Sequence, residues 1–212
     1  MTEIIRQQDM KPADWDRLNA SLYQGELVVL PSDTVYGLGC LATIPHAVEL
    51  VYQVKRRHHE KPMALVFTAV EQILRLIPGL PDRISDALGQ LLPGPVTAVV
   101  PFEEGTSGIR VHGEGSVGVR IIPPPAGDIY LDLPGPLAIT SANLSGHPDA
   151  ASIAAIPEEV LAACSYVIDN GSCGGGVPST VIDLCPILDG RSPAILRQGA
   201  MSAAEIVERL GS

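Results

Sequence analysis

Hydrophobic residues follow two patterns along the chain: helical stripes and short runs that are apolar at every position. Trp15, Leu18 and Leu22 share one face of a helix predicted over residues 14–24. The next run, Leu27–Leu30, is apolar throughout, which is typical of a strand buried on both faces. Further apolar runs bounded by Gly, Pro or Asp predict strands at residues 64–67, 96–100, 117–122, 137–140, 166–169, 180–184 and 194–196.

Helical stripes lie between many of these runs. Ala47, Val51 and Val54 predict a second helix, which begins near Pro45 and ends in the basic run at residues 55–57. Three more helices are predicted at residues 70–77, 81–92 and 203–210, the last with Ser202 as its N-cap.

Strands and helices mingle along the whole length without a long polar linker, which is typical of one α/β domain. We therefore predict a single domain over residues 1–212, with a motif-bearing core at about residues 10–200 and a C-terminal helix at residues 202–210. The sheet is expected to be twisted, mostly mixed in strand direction and flanked by helices. Because aromatic residues make up only 4% of the chain, its core must be largely aliphatic.

Charge and missing motifs exclude several classes of protein. Fourteen Lys and Arg residues against twenty-four Asp and Glu residues give a net charge of −10, which argues against a chain that binds nucleic acid tightly over its surface. No Lys follows a Gly, as a Walker A loop requires, and no Gly-x-Ser-x-Gly nucleophile elbow is present. We find neither a signal-peptide pattern nor about eighteen consecutive apolar residues, so we expect a cytoplasmic protein without a membrane partner.

The cysteines and histidines give no metal-binding spacing. The four Cys residues are far apart and form no Cys-x-x-Cys pair, so reduced thiols are expected. The five His residues are also scattered, and the neighbours His58 and His59 would point in different directions on a helix or strand. The spacing therefore predicts no structural metal site.

Polar residues follow the predicted strands in four segments, where α/β sheets usually form their ligand clefts. Each segment also has a purely structural explanation. Asp33 and Thr34 could cap a turn, and Ser141 with Asn143 could form an Asx or Ser turn. The four segments are residues 31–39 (PSDTVYGLG), 55–62, 140–146 (TSANLSG) and 178–183 (PSTVID).

The basic run is the most distinctive of these segments. Four cations fall within seven residues, and this density could simply complement a helix C-terminus. It could equally bind a polyanion, since Arg presents a planar fork to phosphate oxygens and Lys a point charge. Without an evident nucleophile, the chemistry would rest on positioning and charge stabilisation, as in nucleotidyl transfer. The cations are Lys55, Arg56, Arg57 and Lys61, and further candidates are Arg110, Arg120 and Arg197.

Seven ordered motifs together resemble the YrdC-like family, the TsaC-type L-threonylcarbamoyladenylate synthases. The resemblance covers residues from about 25 to 199. The motifs are SDTVYGLG (32–39), Lys55-x-Arg57 with Lys61-Pro62, PGPVT (93–97), VGVR (117–120), TSANLSG (140–146), STVID (179–183) and ILRQG (195–199).

The resemblance implies a YrdC-like fold with a concave cationic cleft, and an ATP-dependent nucleotidyltransferase. Bicarbonate and L-threonine would form N-carboxy-threonine, whose carboxylate takes AMP from ATP and releases pyrophosphate. The product, threonylcarbamoyl-AMP, would pass to a tRNA threonylcarbamoyl-transferase complex for modification of the adenosine beside the anticodon. Mg²⁺ would arrive with ATP as its only cofactor, without metal ligands from the protein.

The resemblance also implies roles for individual residues. The catalytic residues that neutralise the triphosphate would be Lys55, Arg57 and Lys61. The residues that bind ATP would be Arg57, Lys61, Ser116, Ser141, Asn143 and Arg197. The residues that bind threonine would be Thr34, Tyr36, Arg120 and Ser179, with Arg120 on the carboxylate.

The chain departs from the family pattern at several positions. Ser32 replaces a frequent Thr, His58 a frequent Pro, Asp149 a common Ser, and Gln198 a Pro. Two other functions remain open: a non-catalytic RNA- or nucleotide-binding module that uses the same basic cleft, and adenylation of a carbamate as in hydrogenase-maturation carbamoyltransferases. The few aromatic residues argue against the first, and the missing extra domains of those longer enzymes argue against the second.

Overall fold

The computed structural model describes residues 2–103, 105–109, 111–112 and 115–211. Ten strands of the described residues form one sheet, and the hydrophobic pattern predicts eight of them. They are β1 (Glu3–Arg6), β2 (Leu27–Leu30), β3 (Gly37–Leu41), β4 (Ala64–Phe67), β5 (Val96–Pro101), β6 (Ser116–Ile121), β7 (Leu137–Ser141), β8 (Cys164–Asp169), β9 (Thr180–Asp183) and β10 (Ala194–Arg197). The α-helices are α1 (Pro12–Tyr23), α2 (Pro45–Lys55), α3 (Val70–Leu76), α4 (Asp82–Leu91), α5 (Glu158–Ala162) and α6 (Ala203–Leu210).

The strand order across the sheet is β1-β8-β2-β3-β7-β4-β6-β5-β9-β10. Four neighbouring pairs are parallel and five are antiparallel, so the prediction of a single α/β domain with a mixed sheet is confirmed. Most neighbours are distant in sequence, which brings the ends of β3, β6, β7 and β9 together over one region of the sheet. Three of the four predicted site segments overlap these strands, and the fourth, residues 55–62, follows α2.

The hydrophobic core lies on both faces of the sheet. Leu27 and Val29 contact the larger cluster, which includes the buried faces of α2 and α4. Val28 and Leu30 contact the smaller cluster beside α1. Alternate residues of β2 therefore enter opposite layers, as expected for a strand covered on both sides. All four cysteines are free of disulfide bonds in the structure.

The hydrophobic pattern does not reveal β1, β3 or α5. Glycine has low strand propensity, yet Gly37 and Gly39 lie in β3, which pairs with β2 and β7 in the middle of the sheet. A Cβ atom at either glycine would approach the Ile139 side chain to 2.7 Å. Close packing therefore selects glycine here, against the local preference.

Candidate active site

A cavity of about 580 Å³ lies over the ends of the central strands. This volume is within the usual range for small-molecule sites. Three of the predicted residues, Thr34, Lys55 and Asn143, are absent from its lining, and Arg110 lies outside the described residues. The predicted residues that line the cavity are Tyr36, Arg57, Lys61, Ser116, Arg120, Ser141, Ser179 and Arg197.

Two residues of the basic run reach the cavity from the loop after α2. Arg56 ends the helix with a left-handed backbone (φ 51°), and this turn redirects the chain. The Arg57 guanidinium donates to the carbonyls of Lys61 and Pro62 at 2.9 and 3.1 Å, which fixes the loop as a closed turn. Burial lowers the pKa of Arg57 from its usual value. Since Lys61 is exposed, its ammonium is accessible to an anionic ligand.

Lys55 has a different position from its neighbours in the basic run. It is 1% exposed, and its ammonium donates to Ser141 O and Asn143 O, both at 2.5 Å, and to Asn143 Oδ1 at 3.0 Å. These contacts engage all three ammonium hydrogens. Desolvation, followed by the positive charge of Arg57, lowers the pKa of Lys55 to about 8. Lys55 therefore fixes the loop after β7, and its expected contact with the triphosphate stays a prediction.

Asn143 also helps to fix the loop after β7 and does not line the cavity. Its side-chain oxygen accepts from the Ser141 hydroxyl at 2.7 Å, and its amide donates to His147 O at 2.5 Å. Asn143 is 6% exposed. The polar atoms of Asn143 hold the loop, and the expected contact between Asn143 and ATP stays a prediction. Ser141 retains its place in the lining.

Arg120 lines the cavity and contacts Thr34, which is buried outside the lining. Arg120 forms an ion pair with Asp33 and donates to the Thr34 hydroxyl at 3.0 Å. Asp33 Oδ2 and Arg120 Nε are buried and have no hydrogen-bond partner within the described part of the chain. A buried polar atom without a partner is costly, so this pair suits a polar ligand that completes its hydrogen bonds.

Ser179 and Arg197 also line the cavity and contact each other. The Ser179 hydroxyl shares a hydrogen bond with Thr97 Oγ1 at 2.9 Å, and Arg197 donates to Ser179 O at 2.8 Å. The chain beyond β10 is held by Thr180, whose hydroxyl donates to Met201 O at 2.6 Å. This tether positions the last strand against the cavity.

Tyr36 connects the cavity wall to the glycine-rich segment after β8. Its hydroxyl donates to Gly171 O at 2.8 Å and accepts from Asn170 N at 3.0 Å. Desolvation raises the pKa of Tyr36 above its usual value, so the phenol stays protonated. Gly174 lies directly against the turn that precedes Tyr36: a Cβ atom would come within 1.9 Å of Asp33 O.

The departures from the family pattern have local structural roles. The Ser32 hydroxyl accepts from the amides of Thr34 and Val35, both at 3.1 Å, so it supplies the cap that a Thr would supply. His58 is exposed, and its carbonyl accepts from Lys61 N at 3.1 Å, so the turn forms without proline. Burial lowers the pKa values of Lys55 and Arg197, and the negative charge of the nearby Asp149 partly offsets this lowering.

Sequence reasoning missed three lining or supporting residues. Asp33 lies inside a quoted motif, but only the structure reveals its ion pair with Arg120. Thr97 and Glu60 line the cavity without having been assigned a role. Thr97 is within the PGPVT motif, so a residue-level reading of that motif could have found it.

No helix in the described portion is both long and apolar enough to cross a membrane.

A comparison with protein-family models matches residues 20–199 to the Sua5/YciO/YrdC model, described as "Telomere recombination". This match covers most of the chain.

Curated relatives and solved structures agree with this match. The chain is 33% identical over 192 residues to threonylcarbamoyl-AMP synthase of Pyrococcus abyssi, with 89% of this chain and 54% of that protein covered. It is 36% identical over 174 residues to the Homo sapiens protein of that name, with 78% and 61% covered. The structure of P. abyssi Sua5 complexed with L-threonine has a TM-score of 0.85 at 29% identity and covers 100% of this chain and 61% of that one. The chain thus spans between half and two thirds of these relatives.

Proposed function

Because the chain belongs to the Sua5/YciO/YrdC family, we propose that it is an ATP-dependent nucleotidyltransferase of the cytoplasm that makes threonylcarbamoyl-AMP. One observation carries this proposal: eight of the eleven residues implied by the family resemblance line one cavity. The names of the relatives support the same activity. The product would supply the activated group for threonylcarbamoylation of tRNA by a separate transferase complex.

The basic side of the cavity suits the triphosphate of ATP. Arg57, Lys61 and Arg197 present positive charge there, and Glu60 is the carboxylate that shares the lining. Mg²⁺ prefers several oxygen ligands and commonly binds through substrate phosphates. A lining with so little carboxylate favours an ion that enters with ATP. Ser116 and Ser141 also line the cavity, and their hydroxyls would bind the nucleotide.

The part of the cavity wall formed by Arg120 suits L-threonine. A guanidinium binds a carboxylate through paired charge-assisted hydrogen bonds, and Arg120 Nε lacks a partner among the described residues. The threonine complex of the P. abyssi relative supports a threonine site in this fold. Ser179 and Tyr36 complete this side of the cavity, and Thr34 acts through the Arg120 guanidinium that its hydroxyl contacts.

The reaction needs orientation and charge stabilisation. Threonine and bicarbonate condense to N-carboxy-threonine and water. A carboxylate oxygen of this carbamate forms a bond to the α-phosphorus of ATP while the bond to the β-phosphate oxygen breaks. Negative charge grows on the departing pyrophosphate, where Arg57 and Lys61 stabilise it. Lys55 contributes by holding the Ser141 loop in place.

The test is pyrophosphate release by the purified chain with ATP and Mg²⁺, leaving out threonine and bicarbonate in turn. Release that requires both substrates, together with the mass of threonylcarbamoyl-AMP, supports the proposal. ATP binding without release would instead favour a binding module. Release with carbamoyl phosphate in place of threonine and bicarbonate would favour the carbamate-adenylating function.

Substitution of the two basic residues of the loop after α2 that line the cavity tests the role of this loop. We expect Arg57→Ala and Lys61→Ala to reduce kcat/KM by about 10²- to 10³-fold each, because each removes positive charge beside the leaving pyrophosphate. The matched control is Arg56→Ala, since Arg56 pairs with Glu159 and is absent from the cavity lining. Urea unfolding should show that all three variants are folded. Full activity in folded Arg57→Ala and Lys61→Ala variants would contradict the assignment.

A further inference from the structure

Three potential metal ligands converge beside the basic loop, outside the cavity lining. Glu49 lies on α2, His59 in the loop after α2, and His112 in the segment before β6. One ligand atom from each lies within 4.8 Å of the other two. His112 Nε2 is 2.6 Å from Glu49 Oε1, and His59 Nε2 is 3.5 Å from Glu49 Oε2.

The tertiary structure holds the two imidazoles together. Their ring centroids are 4.4 Å apart, and the Tyr52 ring packs against both, at 4.8 Å from His59 and 5.0 Å from His112. The Tyr52 hydroxyl lies 3.1 Å from Lys61 O and 3.2 Å from Val111 O, so it joins the two segments that carry the histidines. His112 has a left-handed backbone conformation (φ 56°), so the chain does not continue in an extended conformation at this residue.

The geometry is close to that of a tetrahedral metal site. Ligands at about 2.0–2.1 Å from Zn²⁺ are about 3.4 Å apart in a tetrahedron. The observed separations require only side-chain movement of about an ångström, and Glu49 and His59 are partly exposed and free to make it. Two imidazoles and one carboxylate suit Zn²⁺ and neighbouring transition metals, whereas Mg²⁺ prefers oxygen ligands alone.

We propose that Glu49, His59 and His112 form a binding site for a divalent transition-metal cation of the Zn²⁺ class, with water at the fourth position. The bound ion would join α2, the basic loop and the segment before β6. The site does not depend on the proposed synthase activity, because none of its ligands lines the cavity. It also reverses the expectation, drawn from the spacing of the histidines, that the chain has no structural metal site.

The test is titration of the full chain with Co²⁺ after treatment with chelator and removal of any affinity tag. Tetrahedral Co²⁺ has characteristic visible absorption. We expect saturable, equimolar binding that Zn²⁺ displaces and excess Mg²⁺ does not. His59→Ala, Glu49→Gln and His112→Asn should each weaken binding by at least about tenfold. Asn is chosen at residue 112 because it tolerates a positive φ.

The matched control is His58→Ala, which removes the adjacent exposed histidine and leaves the three ligands intact. Its Co²⁺ affinity should equal that of the original chain. A lack of saturable binding, or affinity in His59→Ala equal to that of the original chain, would overturn the proposal. Because His59 is on the surface, with 56% of its side chain exposed, folding of this variant is expected and far-UV circular dichroism verifies it.

Discussion

Lys55 shows how burial changes the role of a basic residue. Three lysines and arginines adjoin in the sequence, yet only Lys55 lies on the inner face of α2, where its methylenes pack and its ammonium meets three oxygens. A fully engaged ammonium positions protein atoms, whereas Arg57 and Lys61 remain available to a ligand. The helical period places Lys55 inside, but the sequence does not show what it contacts.

We expect Lys55→Met to lower the free energy of unfolding by about 3 kcal/mol, because buried carbonyls of the Ser141 loop lose their donor. Urea unfolding measures this change. Lys11→Met is the matched control, since Lys11 is exposed and its change should be within about 0.5 kcal/mol. Equal stability of the two variants would show that the Lys55 contacts contribute little.

Comparison of the original chain with Lys55→Met also tests how stability depends on pH. The pKa of Lys55 falls from 10.5 to about 8 on folding, so between these values the unfolded chain binds a proton that the folded chain has lost. The free energy of unfolding contributed by Lys55 therefore rises as the pH increases from about 8 to 10.5. The difference between the original chain and Lys55→Met should increase over this interval. A difference that is constant with pH would contradict the lowered pKa.

At the scale of secondary-structure elements, the apolar runs predict seven further strands besides β2, and the structure contains each of them. The hydrophobic pattern does not reveal β3, which contains two glycines. These glycines allow close packing against Ile139 of β7, which lies about a hundred residues away in the sequence. The missed β1 pairs with β8 at the edge of the sheet. Such pairings depend on tertiary contacts, so local pattern does not reveal them.

The glycine-rich segment at residues 174–176 offers a matched test of close packing. Gly174→Ala should lower the free energy of unfolding by about 2–3 kcal/mol, because its Cβ would collide with Asp33 O in the turn beside Arg120. Gly175→Ala is the control: Gly175 also has positive φ (72°), but no atom lies within 4 Å of the position that an added Cβ would take. It should cost only about 1–2 kcal/mol of backbone strain.

Thermal or urea unfolding compares the two glycine variants. If the synthase proposal is correct, only Gly174→Ala should also raise the KM for threonine, since the displaced turn carries Asp33 and Thr34. Equal losses of stability in both variants would show that the Asp33 turn moves aside without cost.

At the scale of the whole molecule, a chain of net charge −10 has a cavity lined by four basic residues. Tight nucleic-acid binding depends largely on many phosphate contacts, which a chain of net charge −10 is poorly suited to make. This distribution suits a small anionic substrate, such as a nucleotide, better than a tRNA.

We therefore expect no stable complex between this chain and tRNA in fluorescence anisotropy at about 0.15 M salt, with any Kd weaker than about 100 µM. ATP binding measured under the same conditions is the positive control for a functional preparation. A micromolar complex with tRNA that weakens steeply with salt would contradict the prediction and favour the RNA-binding alternative.

The sequence by itself determined the α/β class, most strands and helices, the largely aliphatic core and the residue types gathered in the cavity. These features follow from composition and from the local patterns of periodicity and motifs, which can be recognised without knowing contacts between distant segments. Only the tertiary structure decided that Lys55 and Asn143 support a loop, that Asp33 pairs with Arg120, and that two distant histidines meet at Glu49. The physical reason is that burial and pairing depend on contacts between segments far apart in the chain, and the order of strands in the sheet sets those contacts.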